Sequence, residues 1–114
     1  MKKLLFIMAF MPLFFFHHTV KAQKVFVEQY ESNADVKVFV VQYESDADLK
    51  VYKEQYESNA GQNDGKWFFE QYESNAKKKI FFEQYESNAD LKIYFEEYES
   101  NAGWVNDSKK YLMY

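Results

Sequence analysis

The side chains that could do chemistry in this chain come in one recurring cassette, Tyr-Glu-Ser-Asn-Ala, whose tyrosines are Tyr30, Tyr43, Tyr56, Tyr72, Tyr85 and Tyr98. Each copy offers a phenol, a carboxylate and a hydroxyl. A carboxylate pair can run glycoside hydrolysis only if the two groups sit in different environments that separate acid from base. Here the glutamates are near-copies of one another, which argues for structure. Ser-His-Asp and Cys-His arrangements need an imidazole or a thiol. The chain has no cysteine, and its two histidines, His17 and His18, lie in an N-terminal leader-like segment. Zinc sites built on His or Cys are excluded on the same ground. The reading is therefore of a protein that is not an enzyme, with no catalytic residue, no cofactor and no metal site. Calcium held by Glu31, Asn33, Asp35 and their copies is the one cation chemistry the turns suggest, and solvated turns are the preferred account of those oxygens.

The elements that must position the cassette follow from its spacing. The tyrosines stand 13, 13, 16, 13 and 13 residues apart, so the chain is a doubled three-strand unit. Before each tyrosine runs a lysine followed by Val, Ile, Phe, Tyr or Trp, as in Lys24 to Tyr30 and Lys66 to Tyr72. That density of β-branched and aromatic residues, bounded by Ser, Asn, Asp and Gly, predicts strands. One face of each strand carries residues such as Val25 and Val27, or Trp67 and Phe69; the other carries Phe26, Glu28 and Tyr30. The Val/Ile/Trp/Phe face is the expected core. The cassettes predict short hairpin turns, with Asn33, Asp46, Asn75 and Asn88 suited to left-handed geometry.

Two architectures can use a 13-residue repeat. A parallel solenoid would stack Glu31, Glu44 and Glu57 into a like-charge ladder roughly 4.8 Å apart. An antiparallel meander separates them, so the expected fold class is all-β: an antiparallel meander of six to seven short strands, curled into a small barrel or sandwich. Its halves are 23–65 and 66–108. A C-terminal strand at 109–114, opened by Lys109-Lys110-Tyr111-Leu112, is expected to pair beside Lys24 to Tyr30 and close the sheet.

The N-terminus reads as a secretory signal peptide over residues 1–22. Lys2 and Lys3 precede an apolar run from Leu4 to Phe16, and Val20-Lys21-Ala22 has the form of a cleavage site. The run is shorter than the roughly 20 residues a spanning helix needs. The expectation is a product beginning at Gln23, exported to the periplasm or the extracellular space, with no membrane span after cleavage. The whole sequence carries 14 basic residues, all lysine, and 18 carboxylates, for a net charge of -4; losing Lys2, Lys3 and Lys21 takes the charge to -7. That balance disfavours nucleic acid as a partner.

Tyr-Glu-Ser-x-Ala-Asp-Leu-Lys, as in Tyr43 to Lys50 and Tyr85 to Lys92, together with Asn63-Asp64-Gly65-Lys66-Trp67-Phe68-Phe69, resembles an uncharacterised family of small exported bacterial proteins, a domain of unknown function. The resemblance implies no activity, substrate or cofactor. Ala76-Lys77-Lys78 departs from it, because other copies have Ala-Asp at that place. The expected function is a small non-catalytic β-repeat binding module for a glycan, a peptide or an envelope protein, with Tyr52, Tyr94 and Trp104 as candidate surface contacts. The alternative is a self-assembling, fibre-forming extracellular protein.

Overall fold

The computed structural model describes residues 22–114; the expected signal segment, apart from Ala22, lies outside the described residues. Six strands form where the lysine-led apolar segments predict them: β1 (Lys24–Val27), β2 (Val36–Val40), β3 (Leu49–Glu54), β4 (Lys66–Phe69), β5 (Lys78–Phe82) and β6 (Leu91–Phe95). A two-residue strand, β7 (Gly103–Trp104), follows.

The fold is all-β and closed, but it is not an antiparallel meander. All of β1–β6 run parallel, in the order β4-β1-β5-β2-β6-β3, and β3 pairs back to β4 to complete a six-stranded barrel. The chain makes two laps. β1, β2 and β3 take alternate places on the first, and β4, β5 and β6 fill the gaps on the second. Interleaving also weakens the objection to parallel strands, because within each lap consecutive copies of a glutamate turn follow strands that are separated by a strand of the other lap.

Parallel strands ordinarily need a crossover of a dozen or more residues to carry the chain back to its starting level. Stagger removes that need here. Val27 is the register partner of Ile80 of β5, and Ile80 is that of Val36, so along the hydrogen-bonding direction β2 starts where β1 stops. The connection has only to step sideways across one strand, a span of roughly 10 Å. Each crossing is made by a single 3-10 turn: Glu31–Asn33, Glu44–Asp46, Glu57–Asn59, Glu73–Asn75, Glu86–Asn88 and Glu99–Asn101. The turn joining β2 to β3 packs on β6, the strand lying between them. These replace the expected hairpins, and Asn33, Asp46, Asn75 and Asn88 do not adopt positive φ; among the described non-glycine residues only Asn63 does, at 115°.

Repeat-equivalent residues come to the same level because each strand is offset by two residues from its neighbour, which stacks the inward side chains in layers. One layer is Val25, Ile80, Val38, Ile93, Val51 and Trp67, all fully buried. The expected Val/Ile/Trp/Phe face is therefore the core. Above it stand Val27, Phe82, Val40, Phe95, Lys53 and Phe69, with the Lys53 ammonium 4.5 Å from the Phe95 ring centroid. Below it the chain's own C-terminus closes the barrel.

The seventh strand expected at 109–114 is instead a 3-10 helix, Asp107–Met113. Closure of the sheet comes from β4, not from the tail. The helix buries Met113 completely and packs Leu112 against the core. The amide Nε2 of buried Gln23 donates to the Met113 carbonyl at 2.9 Å. Strand β7 runs antiparallel to β3 and covers the Leu49–Lys50 stretch that β4 leaves open. Gly65 makes this corner possible: its φ is +89°, and a Cβ there would lie 2.3 Å from the Lys50 carbonyl oxygen.

Candidate functional site

The repeated turns present one surface six times. In every copy the tyrosine is the extended residue before the 3-10 turn, for example φ -121° and ψ 134° at Tyr30. Its backbone does the structural work: the Tyr30 carbonyl accepts from Asn33 N–H at 3.1 Å, as do its equivalents. The rings themselves stay out, at 61–65% exposure for Tyr30, Tyr43, Tyr56, Tyr72, Tyr85 and Tyr98. Beside five of the six rings the turn glutamate is bridged to a lysine: Lys37–Glu31 at 3.9 Å, Lys50–Glu44 at 3.7 Å, Lys24–Glu57 at 3.1 Å, Lys79–Glu73 at 3.5 Å and Lys92–Glu86 at 3.4 Å. The bridges are exposed and contribute little stability individually, but they offset the charge of the turn glutamate beside those five rings.

Beneath the turns lies a second set of carboxyls that sequence reading missed. Glu28, Glu54, Glu83 and Glu96 each have an Oε2 that is buried without a conventional donor among the described residues. Burial pushes Glu28 up, and the Glu73 carboxyl adds to the effect. Burial, then Glu99, takes Glu54 up to about 7. Hydrogen bonding to Glu31, then burial, raises Glu83; burial, then Glu44, raises Glu96. Two carboxyls in contact cannot both ionise cheaply, which together with burial raises each strand glutamate above its ordinary value. Each pair joins a strand end of one lap to the turn of the other: Glu83, just after β5, lies against Glu31, and Glu28, just after β1, against Glu73. Four near-equivalent pairs, each covered by a turn, latch turns to strands.

The aspartates after the turns act as clamps. Asp35 donates its N–H to Lys79 O at 2.7 Å while its Oδ2 accepts from Lys79 N at 2.9 Å. Asp90 does the same with Lys37, and Asp48 with Lys92. Burial alone would raise Asp48, but hydrogen bonds from Lys92 N and Asn106, with the Lys109 ammonium at 3.3 Å, hold it below the usual carboxylate range. Lys77 keeps only the backbone half of the clamp, donating to Lys24 O at 2.7 Å. Of the oxygens considered for calcium, Asp35 Oδ2 accepts from a backbone N–H and Glu31 is bridged to Lys37; no group of three or more His, Cys, Asp or Glu placed to hold a metal ion occurs among the described residues.

The three residues singled out from the sequence do not form one site. Tyr52 and Tyr94 stand half-buried on the outer faces of the adjacent strands β3 and β6. Trp104 lies in β7, packs against the core, and donates its indole N–H to Asn63 O at 3.0 Å and Oδ1 at 3.2 Å. The more exposed rings are the repeat tyrosines. Their signal was in the sequence: the turn is nearly invariant across six copies, while the buried layer varies from Val to Ile to Trp.

No curated protein and no solved structure matches the chain. A family model does match, over residues 22–105, and it describes a 7(1) septoil knot domain. That description suits a barrel in which the turns of each lap cross over the strands of the other. The chain belongs to the 7(1) septoil knot domain family.

Proposed function

We propose that this protein is an exported, non-catalytic binding module that uses its six tyrosine turns together, as a multivalent belt for a neutral, hydroxyl-rich polymer such as an envelope glycan. One observation carries this reading: six identical aromatic rings, 61–65% exposed, are kept at equivalent places where only their backbone has a structural task. Aromatic faces with a carboxylate and a hydroxyl alongside offer stacking and hydrogen bonds to a sugar ring. Repetition supplies avidity, since linked weak contacts raise one another's effective concentration. Export rests on the Lys2-to-Ala22 pattern of the sequence alone. Closure of the barrel weighs against the fibre-forming alternative, because β1–β6 leave no long unpaired edge to template another chain.

The test is co-sedimentation of the residue 23–114 protein with insoluble envelope and cell-wall polysaccharides. Wild type is expected in the pellet. Replacing Tyr30, Tyr56 and Tyr85 by Ser is expected to release it far more than in proportion to the rings removed. Equal sedimentation of wild type and the triple variant would overturn the belt. Intact mass of the protein recovered from the producing cell is expected to correspond to a chain starting at Gln23; a full-length mass would overturn export.

A further inference from the structure

The second repeat breaks the pattern twice, and both breaks line one cleft. Where the other five strands end in Glu28, Glu54, Glu70, Glu83 and Glu96, β2 is followed by Val41. Where the other five turns have Asn33, Asn59, Asn75, Asn88 and Asn101, this one has Asp46. The cleft has a volume of about 550 Å³, within the range of small-molecule sites. Its lining combines the apolar Phe39, Val40 and Val41 with Gln42, the Tyr43 ring and the carboxyls of Asp46 and Glu86.

The chemistry of these two departures is coherent. In four of the other repeats a strand-end glutamate, Glu28, Glu54, Glu83 or Glu96, lies against the glutamate of the crossing turn. At β2 the partner is missing, so Glu86 faces an apolar floor in place of a carboxyl. Glu86 is bridged to Lys92 at 3.4 Å. Asp46 has no ion pair or side-chain hydrogen bond among the described residues, which leaves an uncompensated negative charge beside an apolar floor and a tyrosine ring. An apolar floor favours a hydrocarbon body, a ring favours a cation against its face, and a carboxylate favours positive charge. An anion would be repelled by Asp46, and a neutral ligand would gain a hydrogen bond but no charge attraction.

We infer that this cleft is a binding site for a small organic cation, an alkyl- or arylammonium whose apolar body rests on Val40 and Val41 while its charged head lies between Tyr43 and Asp46. The site is single and distinct from the six-fold belt, of which it shares only Tyr43. Its failure would leave the glycan reading standing, and the converse holds as well.

The probe is benzyltrimethylammonium chloride, titrated at millimolar concentration into 15N-labelled residue 23–114 protein, with benzyl alcohol and sodium benzenesulfonate as neutral and anionic controls. Saturable amide shifts are expected at Val40, Val41 and Tyr43, and not at the other five strand ends, which act as controls inside the same molecule. Asp46→Asn is expected to weaken binding roughly threefold to fivefold, the range of one exposed charge contact. Val41→Glu is expected to abolish saturation by restoring the carboxyl floor. Both variants install residues that the fold already carries at equivalent places, so each is expected to keep the wild-type spectrum elsewhere. Non-saturable shifts in the wild type would overturn the inference. So would equal shifts with benzyl alcohol or benzenesulfonate, or unchanged affinity in Val41→Glu.

Discussion

Trp67 offers a sharp check on how the barrel is held together. It is the largest fully buried side chain, sharing its layer with Val25, Ile80, Val38, Ile93 and Val51, and its Nε1 has no acceptor among the described residues. Two substitutions separate volume from polarity. Trp67→Ala opens a cavity and is expected to cost about 3–5 kcal/mol. At about 4–8 °C per kcal/mol for a domain of this size, Tm falls by at least about 12 °C. Trp67→Phe gives up only part of the ring, roughly 2 kcal/mol at about 0.8 kcal/mol per buried carbon. It also removes a buried, unpaired donor, which returns about 1–3 kcal/mol. The net change is expected to stay within about 1 kcal/mol. Urea unfolding followed by far-UV circular dichroism, with Trp104 emission as a second probe, measures both variants on one scale. A Trp67→Phe variant as unstable as Trp67→Ala would refute the reasoning, because it would mean that the indole N–H is satisfied in the native barrel.

Stability is expected to fall as pH rises from about 4.5 to about 7. Folded Glu54 keeps its proton up to about 7, while the unfolded chain releases it near 4.5, so the native state binds more protons across that window. Glu28, Glu83 and Glu96 shift in the same direction. Asp48 works the other way: its depressed value contributes stability present above the ordinary 3.8 and lost as pH falls through the folded value. Melting curves should therefore peak between the two windows and fall less steeply above pH 5 in Glu54→Gln than in wild type; a wild-type Tm that climbs from pH 5 to pH 8 would contradict the carboxyl pairs. Asp48→Ala strands the Lys92 N–H and releases Asn106 and Lys109, at an expected cost of about 1–3 kcal/mol by chemical denaturation. Gly65→Ala is expected to cost more than Asp48→Ala by the same assay, since its Cβ would meet the backbone of β3 as well as an unfavourable φ. Met113→Ala should cost about 2–5 kcal/mol while leaving the protein monomeric in size-exclusion chromatography, because the tail plugs the barrel and does not close its sheet.

The local chain settles a good part of this protein. The positions of β1–β6, the inward row from Val25 to Trp67, the turns at each cassette and the corner at Gly61 to Gly65 follow from residue type and period two, which depend on near neighbours. The carboxyl pairs do not, since Glu83 and Glu31 belong to different laps and meet only because one crosses over the other. Strand direction was equally out of reach. A five-residue strand with an eight-residue link suits a hairpin as readily as a sideways crossing, and only the two-residue stagger of neighbouring strands makes the crossing short enough to work. The tail shows the same limit in miniature: Lys109-Lys110-Tyr111-Leu112-Met113 has apolar residues that a strand or a 3-10 helix could use. The open lower end of the barrel decided between them, because it needed a plug for Met113 to fill and had no vacant sheet edge for another strand to join.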